Sequence, residues 1–220
     1  MPTSRTKDQM VVPPQYAELV KSLKALYKSS DYSDFRVLCG SDVYHVHKAV
    51  VCSQSEFFAA ACKFGQEAAE GQINLTEDGP ARVKAMIQYL YCLEYDIPES
   101  ENTEDKEGLV FHAEMYSIAD KYNIRGLKSL AQDLFQKSTK KTVVIKEFAT
   151  AIRTVFETTV DEDRGLRDIV VEIMTKNMDL LDEPEIKEAV KETSSLAFEL
   201  LMKNRQVEKG PWRALSSRRE

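Results

Sequence analysis

The sequence predicts an α+β fold, in which a small sheet is capped by a cluster of helices and followed by an all-helical C-terminal extension. Three observations predict it. Apolar side chains alternate with period two in residues 35–46 and 72–76, which indicates short strands. The segments around these strands have helical periodicity instead. From residue 142 to about residue 205, helical periodicity is the only pattern.

Composition limits the classes of partner. The 220 residues are 43% hydrophobic, which is enough for a substantial core, and the net charge is −6. Proteins that coat nucleic acid or anionic membranes need a concentrated cationic surface, and an acidic chain does not favour one. We therefore predict protein partners, with no direct nucleic-acid or membrane partner.

The four cysteines indicate a reducing compartment. Cys39, Cys52, Cys62 and Cys92 each stand singly in an apolar segment, without a CxxC pair. No signal-like apolar run opens the sequence, and no stretch approaches the 18 apolar residues typical of a membrane span. We predict reduced core thiols in a protein of the cytoplasm, the nucleus or both.

The first predicted element is an amphipathic helix. Residues 1–12 are polar and predict a disordered N-terminus. Pro13 and Pro14 suit a helix start. The apolar positions that follow share one helical face, and they are Tyr16, Leu19, Val20, Leu23, Leu26 and Tyr27.

A β-hairpin is predicted next. Phe35, Val37 and Cys39 alternate on the first strand, and Gly40-Ser41 suits the turn before a second strand that ends near Val46. Helical periodicity begins at Lys48. A second helix is predicted to begin at Ser55, whose hydroxyl can cap the turn that carries Phe58.

A third strand and several helices complete the predicted core. The third strand is "QINLT", residues 72–76, and Asp78-Gly79-Pro80 opens a helix whose apolar face ends at Tyr91. A short strand is expected at residues 95–97. Residues 96–107 contain six acids and predict a solvated loop. Two helices are then predicted, over residues 109–122 and 125–137.

We place a domain boundary near Ser138, before the helical extension. The last segment, "VEKGPWRALSSRRE", predicts a flexible basic tail. Two alternatives for this tail are a linear docking motif anchored by Trp212 and a weak nuclear signal. The basic residues beside the tryptophan are Lys209, Arg213, Arg218 and Arg219.

The segment "YHVHKAVVCSQSEFF", residues 44–58, contains two of the three histidines. A zinc site could use Cys39, His45, His47 and Cys52, because zinc accepts nitrogen and sulfur ligands. These residues lie on two strands and a helix, and no pair has the spacing that would fix two ligands on one turn. We therefore predict no bound metal and no other cofactor.

A catalytic pair of Ser55 and His47 is the second chemical alternative. Nucleophilic catalysis requires an activated serine, a base and a third group that orients the base. Ser55 is already accounted for as a helix cap, and no glycine-rich elbow surrounds it. We predict that the chain is not an enzyme, that His47 and Lys48 hold the strand-to-helix junction, and that His45 lies on the surface.

Four segments together carry a resemblance to a known family. They are "SDFRVLCGSDVYHVHKAVVCSQSEFF", "GQINLTED", "VKAMIQYLYCLEYDI" and "YSIADKYNIRGLKSLA". In this order the chain resembles a BTB (POZ) domain, of the type abundant in filamentous fungi, over residues 31–137. The positions that match the family pattern most specifically are Tyr44, His47, Lys48, Ser55, Phe58, Ala119, Asp120, Tyr122 and Leu127.

The resemblance implies a domain organisation. Residues 1–12 would be the disordered N-terminus, and residues 13–137 a BTB/POZ domain that includes an N-terminal dimerisation helix. Residues 138–205 would be the helical extension, and residues 206–220 the flexible basic tail.

The resemblance also implies a homodimer. In BTB proteins the first helix packs against its copy, and an acidic residue before the first strand approaches a basic residue after the histidine. The matching positions are Asp34 and Lys48. The predicted helix face consists of Tyr16, Leu19, Val20 and Leu23. The alternative is that this helix folds back on its own domain.

A second implied partner is a cullin. Cullin-3 adaptors resembling this chain have a hydrophobic-x-Glu motif before the third strand. Glu67 matches the acid, but Gly65 occupies the hydrophobic place and Phe64 lies one residue before it. We predict a non-enzymatic protein-protein interaction module that homodimerises and scaffolds partner proteins. The alternative function is a substrate adaptor of a cullin-3 ubiquitin ligase.

Overall fold

The computed structural model describes residues 14–98, 108–140 and 144–207. The chain divides into two compact units, residues 1–95 and 96–220. The predicted disordered N-terminus, most of the acidic loop and the tail that carries Trp212 lie outside the described residues.

The first unit contains a small sheet and five helices among its described residues. Its elements are α1 (Pro14–Ser29), β1 (Phe35–Cys39), β2 (Asp42–Val46), α2 (Lys48–Gln54), α3 (Glu56–Ala61), α4 (Gly65–Glu70), β3 (Gln72–Asn74) and α5 (Pro80–Cys92). A short 3₁₀ helix, Thr76–Asp78, precedes α5.

The regular elements of the second unit are all helices within its described residues. Its elements are α6 (Leu109–Lys121), α7 (Arg125–Ser138), α8 (Ile145–Thr158), α9 (Arg164–Lys176), a 3₁₀ helix (Met178–Asp182), α10 (Pro184–Glu192) and α11 (Ser194–Val207). None of the described helices is both long enough and apolar enough to cross a membrane. The predicted α+β architecture with a helical C-terminal region is confirmed.

The three described strands form one sheet in the order β2-β1-β3. β1 pairs antiparallel with β2, with Phe35 opposite Val46, and parallel with β3, with Val37 opposite Ile73. The predicted alternation places Phe35, Val37 and Cys39 in the core. The hairpin is therefore confirmed, and β1 is the central strand.

The third strand is shorter than predicted. β3 ends at Asn74, whose side-chain oxygen accepts hydrogen bonds from the Thr76 backbone N–H at 2.9 Å and hydroxyl at 2.5 Å. This local bonding turns the chain into the 3₁₀ helix. The Leu75 N–H still donates to the Leu38 carbonyl at 2.8 Å, so pairing with β1 extends one residue beyond the strand.

The prediction of a short strand at residues 95–97 is wrong. α5 ends in a left-handed residue, Leu93, with φ of 58°. Residues 94–98 that follow contain no strand. Periodicity over three residues carries too little information to separate a strand from an irregular segment that buries one side chain, here Tyr95.

The first helix packs on α5 within the first unit. The rings of Tyr27 and Tyr91 lie 5.6 Å apart, and the Lys24 ammonium lies 2.6 Å from the Glu94 carboxylate. The hydrogen bond to Glu94 raises the pKa of Lys24 above its ordinary value. The C-terminal half of α1 is thereby held by the end of α5 and the residues that follow it.

A polar cluster joins α6, α7 and the start of α9 in the second unit. The Tyr116 hydroxyl donates to one oxygen of Asp163 at 2.5 Å, and the Lys128 ammonium donates to the other at 2.7 Å. Lys128 also donates to Asp120 at 2.5 Å and lies 4.8 Å from the centre of the Tyr116 ring. Asp163 caps α9 by accepting the Gly165 N–H.

The charges of this cluster stabilise each other at neutral pH. Burial raises the pKa of Asp163, but hydrogen bonds from Lys128 and Tyr116 lower it by more, so the pKa lies below its usual value. Burial lowers the pKa of Lys128, but Asp120 and Asp163 raise it by more. The contribution of Asp163 to the free energy of unfolding is lost only as the pH falls through the pKa of Asp163 in the folded state. The contribution of Lys128 is lost only as the pH rises through the pKa of Lys128 in the folded state.

Two arginines at the start of α9 bind the polar turn that joins α8 to α9 and the helix α11. Arg167 is buried and donates to the Thr159 hydroxyl at 2.8 Å and the Thr159 carbonyl at 2.5 Å, while it forms an ion pair with Asp161. Arg164 donates to both carboxylate oxygens of Glu199 in α11. The turn therefore connects α9 to α6, α7, α8 and α11.

The boundary predicted near Ser138 stays a prediction. α8 packs against α6, and α9 packs against α7. Ser138 itself is buried at the end of α7. The helices on the two sides of the predicted boundary thus share one core within the second unit.

Replacing Gly165 by alanine is expected to destabilise the chain. A Cβ at this position would lie 2.1 Å from the Tyr116 hydroxyl oxygen, which Asp163 holds in place. We expect a net loss of about 1–3 kcal/mol in the free energy of unfolding, although alanine favours a helix more than glycine does. Urea denaturation measures this loss.

The double variant G165A/Y116F controls for the cause. Removing the hydroxyl removes the atom that the new methyl group meets first. The two substitutions should therefore cost less together than the sum of their separate costs, by about 0.5 kcal/mol or more. Additive costs would show that the Tyr116 hydroxyl is not what opposes the alanine.

Candidate functional site

The junction between β2 and α2 is built around His47. This residue occupies the N-cap position of α2 with an extended backbone, φ −109° and ψ 119°, and its side chain is buried. Its backbone N–H donates to the Tyr91 hydroxyl oxygen at 2.8 Å. A helix start therefore gains a partner for one of its backbone donors from a side chain 44 residues away.

Both nitrogens of the His47 ring are also occupied. Nε2 lies 2.6 Å from the Asp31 carbonyl oxygen, and Nδ1 lies 2.8 Å from the Tyr91 hydroxyl. A carbonyl oxygen can only accept, so the hydrogen-bond pattern assigns the ring proton to Nε2 and makes Nδ1 the acceptor of the Tyr91 O–H. The two rings pack edge to face at 5.7 Å.

Tyr91 keeps its proton under all physiological conditions. Burial raises its pKa to about 12, although the hydrogen bond from the His47 backbone N–H acts in the opposite direction. The hydroxyl thus donates one hydrogen bond and accepts another at the same junction. The prediction that His47 holds the strand-to-helix passage by hydrogen bonding describes this geometry.

The same geometry excludes His47 as a base for Ser55. Its hydroxyl accepts the Phe58 N–H at 3.1 Å and caps α3 as predicted. Both ring nitrogens of His47 are bonded elsewhere, so they do not form a catalytic pair with Ser55. His45, on β2, is exposed.

The proposed zinc ligands are not brought together. The Cys39 thiol donates to the Leu75 carbonyl at 3.5 Å, and the Cys52 thiol donates to the Phe58 carbonyl at 3.5 Å. Across the described ranges, no three His, Cys, Asp or Glu side chains gather as a metal site requires. Burial raises the pKa of both the Cys39 and Cys62 thiols, which disfavours the thiolate that binds metal.

Asp34 and Lys48 are joined by a hydrogen bond between the Asp34 side chain and the Lys48 backbone. Asp34 accepts the Lys48 backbone N–H at 2.7 Å, which satisfies a donor in the first turn of α2. The Lys48 ammonium lies 5.7 Å from the centre of the Phe35 ring. Their role at a dimer interface stays a prediction.

The apolar stripe of α1 is exposed in its N-terminal half. Tyr16 and Leu19 have exposed fractions of 55% and 61%, while Val20 and Leu23 are half-buried. Because the C-terminal end of the same stripe packs on α5 through Tyr27, the helix folds back on its own unit while its N-terminal half presents apolar side chains to solvent. The two alternatives for this helix are therefore compatible.

The partial cullin motif lies at the start of α4. Phe64 precedes the helix with an exposed fraction of 71%, and Glu67 lies half-buried in its first turn. Gly65 has φ of 79°, a left-handed conformation that disfavours any other residue, and a Cβ there would lie 3.0 Å from the Glu67 carboxylate. Filling the hydrophobic place by substituting Gly65 would therefore strain the backbone.

The remaining positions of the family pattern lie on α6 and α7. Ala119, Tyr122 and Leu127 are buried, and the Ile124 N–H donates to the Ala119 carbonyl at 2.8 Å where the two helices join. Asp120 is exposed and pairs with Lys128. These residues stabilise the α6-α7 helix pair.

A sequence model of the family described as BTB/POZ domain matches residues 23–139, more than half of the chain. The chain belongs to the BTB/POZ domain family. The match begins within α1, includes the sheet and the His47 junction, and ends just after α7. BTB domains are protein-protein interaction modules, so the chain contains such a module.

Solved structures of BTB domains are similar to the chain. The BTB domain of zebrafish PATZ1 has 17% sequence identity and a TM-score of 0.44, and the similarity covers 61% of this chain and 99% of that one. The BTB (Tramtrack and Bric a brac) domain of human gigaxonin has 15% identity and a TM-score of 0.42, covering 59% and 98%. No curated protein sequence matches the chain significantly.

Sequence reasoning missed the partner of His47. Tyr91 occupies an apolar position of the α5 periodicity, which indicates burial but not a hydrogen bond. Its signal is weak: a buried tyrosine hydroxyl usually finds a partner, and an unassigned buried histidine is one candidate. No sequence signal identifies the Asp31 carbonyl as a partner, because every residue has a backbone carbonyl.

Replacing Tyr91 by phenylalanine should destabilise the chain by about 1–3 kcal/mol, because it leaves a buried N–H and the Nδ1 of His47 without a partner. Urea denaturation followed by far-UV circular dichroism measures the loss. The control is Y32F, the same change at a tyrosine that is almost fully exposed. Equal stability of the Y91F and Y32F variants would contradict the assigned role of the junction.

Proposed function

We propose that the chain is a non-enzymatic interaction module that homodimerises through α1 and scaffolds partner proteins in the cytoplasm, the nucleus or both. The observation that carries the proposal is the exposed N-terminal half of the apolar stripe of α1. Tyr16 and Leu19 lie there on a helix whose C-terminal end is already packed on α5. Membership in a family of interaction modules supports a surface, rather than a catalytic centre, as the functional part.

Self-association is the simplest way to cover this face. Fully burying an apolar side chain contributes about 1.5–3 kcal/mol, so two such residues from each of two copies would contribute substantially. In a two-fold dimer the same patch meets its copy, and no second complementary surface is needed. Tyrosine suits such contacts because its ring is apolar and its hydroxyl can stay hydrated.

The interior supports a role without catalysis. His47, the base of the catalytic pair considered for Ser55, has both ring nitrogens in structural hydrogen bonds, and Ser55 caps a helix. Each group thus has a role in folding. Binding partners through surfaces requires no reactive group.

The variant Y16D/L19D tests the dimer. Light scattering of the unmodified chain at micromolar concentration should give twice the 25.0 kDa of one chain, and the variant should give a single chain. Two buried carboxylates on each side would repel and lose their hydration, which should cost several kcal/mol of association.

The control is V160D, which places a charge at an equally exposed apolar position of the second unit. It should remain dimeric. A 25.0 kDa species for the unmodified chain, or a variant Y16D/L19D that stays dimeric, would refute the proposal.

Phe64 favours a second candidate function, the cullin-3 adaptor. Its exposed ring lies directly before the helix that carries Glu67. An aromatic anchor in this place could fill a pocket of a partner. It is displaced by one residue from the position that the motif requires, because that position is Gly65.

We expect the unmodified chain to bind cullin-3 weakly. A missing hydrophobic anchor loses on the order of 2–3 kcal/mol, or roughly 30- to 150-fold in affinity. Calorimetry with the purified N-terminal domain of cullin-3 measures this directly. If Phe64 supplies part of the anchor, F64A should abolish the remaining binding, whereas Y32A, at another exposed aromatic of the same unit, should not.

The outcomes separate the two functions. Nanomolar binding that F64A weakens would promote the adaptor function over the scaffold. If the unmodified chain does not bind cullin-3, the scaffold remains the proposed function. Gly65 is unsuited to the experiment, because its left-handed backbone would confound a gained contact with strain.

A further inference from the structure

Cys52 and Cys62 lie side by side where α2 meets α3. Cys52 belongs to α2, and Cys62 is the residue that follows α3. The two helices pack against each other, and the two thiols are joined by a hydrogen bond. Both residues are half-buried, so they are not sealed in the core as Cys39 is.

The backbone of Phe58 fixes this arrangement. Its carbonyl oxygen accepts the Cys62 backbone N–H at 2.9 Å and the Cys52 thiol at 3.5 Å. Its N–H donates to the Ser55 hydroxyl at 3.1 Å, and its side chain is completely buried. One residue anchored in the core thus holds both cysteines at the same oxygen atom. Their closeness is therefore a property of the folded backbone.

The hydrogen bonds of the pair have a direction. A carbonyl oxygen can only accept, so the Cys52 proton points to Phe58 and the Cys52 sulfur accepts the S–H of Cys62. Burial and the hydrogen bond to Cys52 raise the pKa of Cys62 to about 12, while the charge of Lys48 opposes this rise and that of Asp34 adds to it. Cys62 therefore keeps its proton at neutral pH, and Cys52 is the sulfur that reacts first as a thiolate.

We propose that Cys52 and Cys62 form a site of reversible oxidation, at which a hydroperoxide converts the two thiols into a disulfide within one chain. A disulfide requires two sulfurs that meet without backbone movement, and a direct hydrogen bond between the thiols provides this. Cysteines that respond to oxidants typically have a second thiol within reach of the first oxidation product. A reducing compartment keeps such a pair as thiols until an oxidant arrives.

The reaction takes place in two steps. The Cys52 thiolate attacks one oxygen of hydrogen peroxide, so a sulfur–oxygen bond forms and the oxygen–oxygen bond breaks. The departing hydroxide takes up the proton that Cys52 released and becomes water. Cys62 then attacks the sulfenic sulfur of Cys52. The disulfide forms, the sulfur–oxygen bond breaks, and the hydroxide leaves with the proton of Cys62 as a second water. Two thiols are oxidised, one peroxide is reduced, and exchange with a small thiol reverses the change.

Thiol counting and peptide mapping test the proposal on the full chain. Hydrogen peroxide should lower the free thiols, counted after unfolding, from four per chain to half that number. Trypsin cuts after Lys48 and Lys63, and a glutamate-specific protease cuts after Glu56, so the two cysteines end on separate peptides. Mass spectrometry should find residues 49–56 joined to residues 57–63 at least about tenfold more often than any other pair. Dithiothreitol should separate the peptides.

Serine variants assign the two roles. C62S should stop at the sulfenic acid of Cys52, which dimedone traps. C52S should form neither the disulfide nor a dimedone adduct at Cys62, because Cys62 keeps its proton. C92S is the matched control, since it removes a half-buried cysteine of α5, and it should form the bond at an unchanged rate. Mapping of the unmodified chain stands without these variants.

The disulfide should fit the folded chain. A cross-link that matches a native contact restricts mainly the unfolded chain. The oxidised protein should therefore keep its far-UV circular dichroism spectrum and melt at a temperature no lower than that of the reduced protein. The variant Y16D/L19D should form the same bond, because the reaction needs only one chain, so this proposal and the proposed dimer fail independently.

Several results would overturn the inference. They are four free thiols after peroxide treatment, another pair of cysteines joined in equal yield, and a disulfide between two chains on a non-reducing gel. A dimedone adduct at Cys62 in C52S would overturn the order of the two steps. An oxidised protein that melts below the reduced one would show that the bond does not match the folded contact.

Discussion

The first unit depends on one hydroxyl group. Tyr91 of α5 accepts the His47 backbone N–H and donates to the His47 ring, whose other nitrogen holds the Asp31 carbonyl. The turn after α1, the end of β2, the start of α2 and the end of α5 therefore meet at a single buried point. Each of these polar groups would lose hydration on burial, and the arrangement stabilises the fold only because all of them are paired together.

This constraint positions the surfaces that carry the proposed function. The Asp31 carbonyl fixes the turn that follows α1, and the ring of Tyr91 packs on Tyr27 of α1. The exposed N-terminal half of the α1 stripe is thus positioned by the contacts of its C-terminal half. A histidine that looks like a reactive group in the sequence has a geometric role, and the surface it positions lies elsewhere.

Local patterns in the sequence were enough to predict much of the fold. Alternation in Phe35, Val37 and Cys39 predicted a strand, and Ser55 predicted a helix start, because both signals depend on residues a few positions apart. Membership in the BTB/POZ family followed from several such local signals in the right order.

Contacts between residues distant in sequence could not be predicted in this way. Tyr116 and Asp163 are 47 residues apart, and neither has a neighbour in sequence that indicates the other. The same limit applies to the site. Periodicity places Tyr16 and Leu19 on one face, but the exposure of that face depends on where α5 lies. The left-handed backbone of Gly65 is likewise a property of the fold, since glycine is also common in unstrained conformations.

The order of the strands has a consequence for how the chain folds. β1 and β2 are joined by a tight turn, so they can pair early, whereas β3 pairs parallel with β1 only after the chain has passed through α2, α3 and α4. Closing this longer loop costs entropy before the new contacts compensate for it. Until β3 arrives, one edge of β1 has unpaired backbone groups, which is the arrangement that recruits strands from other molecules. A nascent chain of this protein is therefore most prone to aggregation after the hairpin has formed and before residues 72–74 have been incorporated.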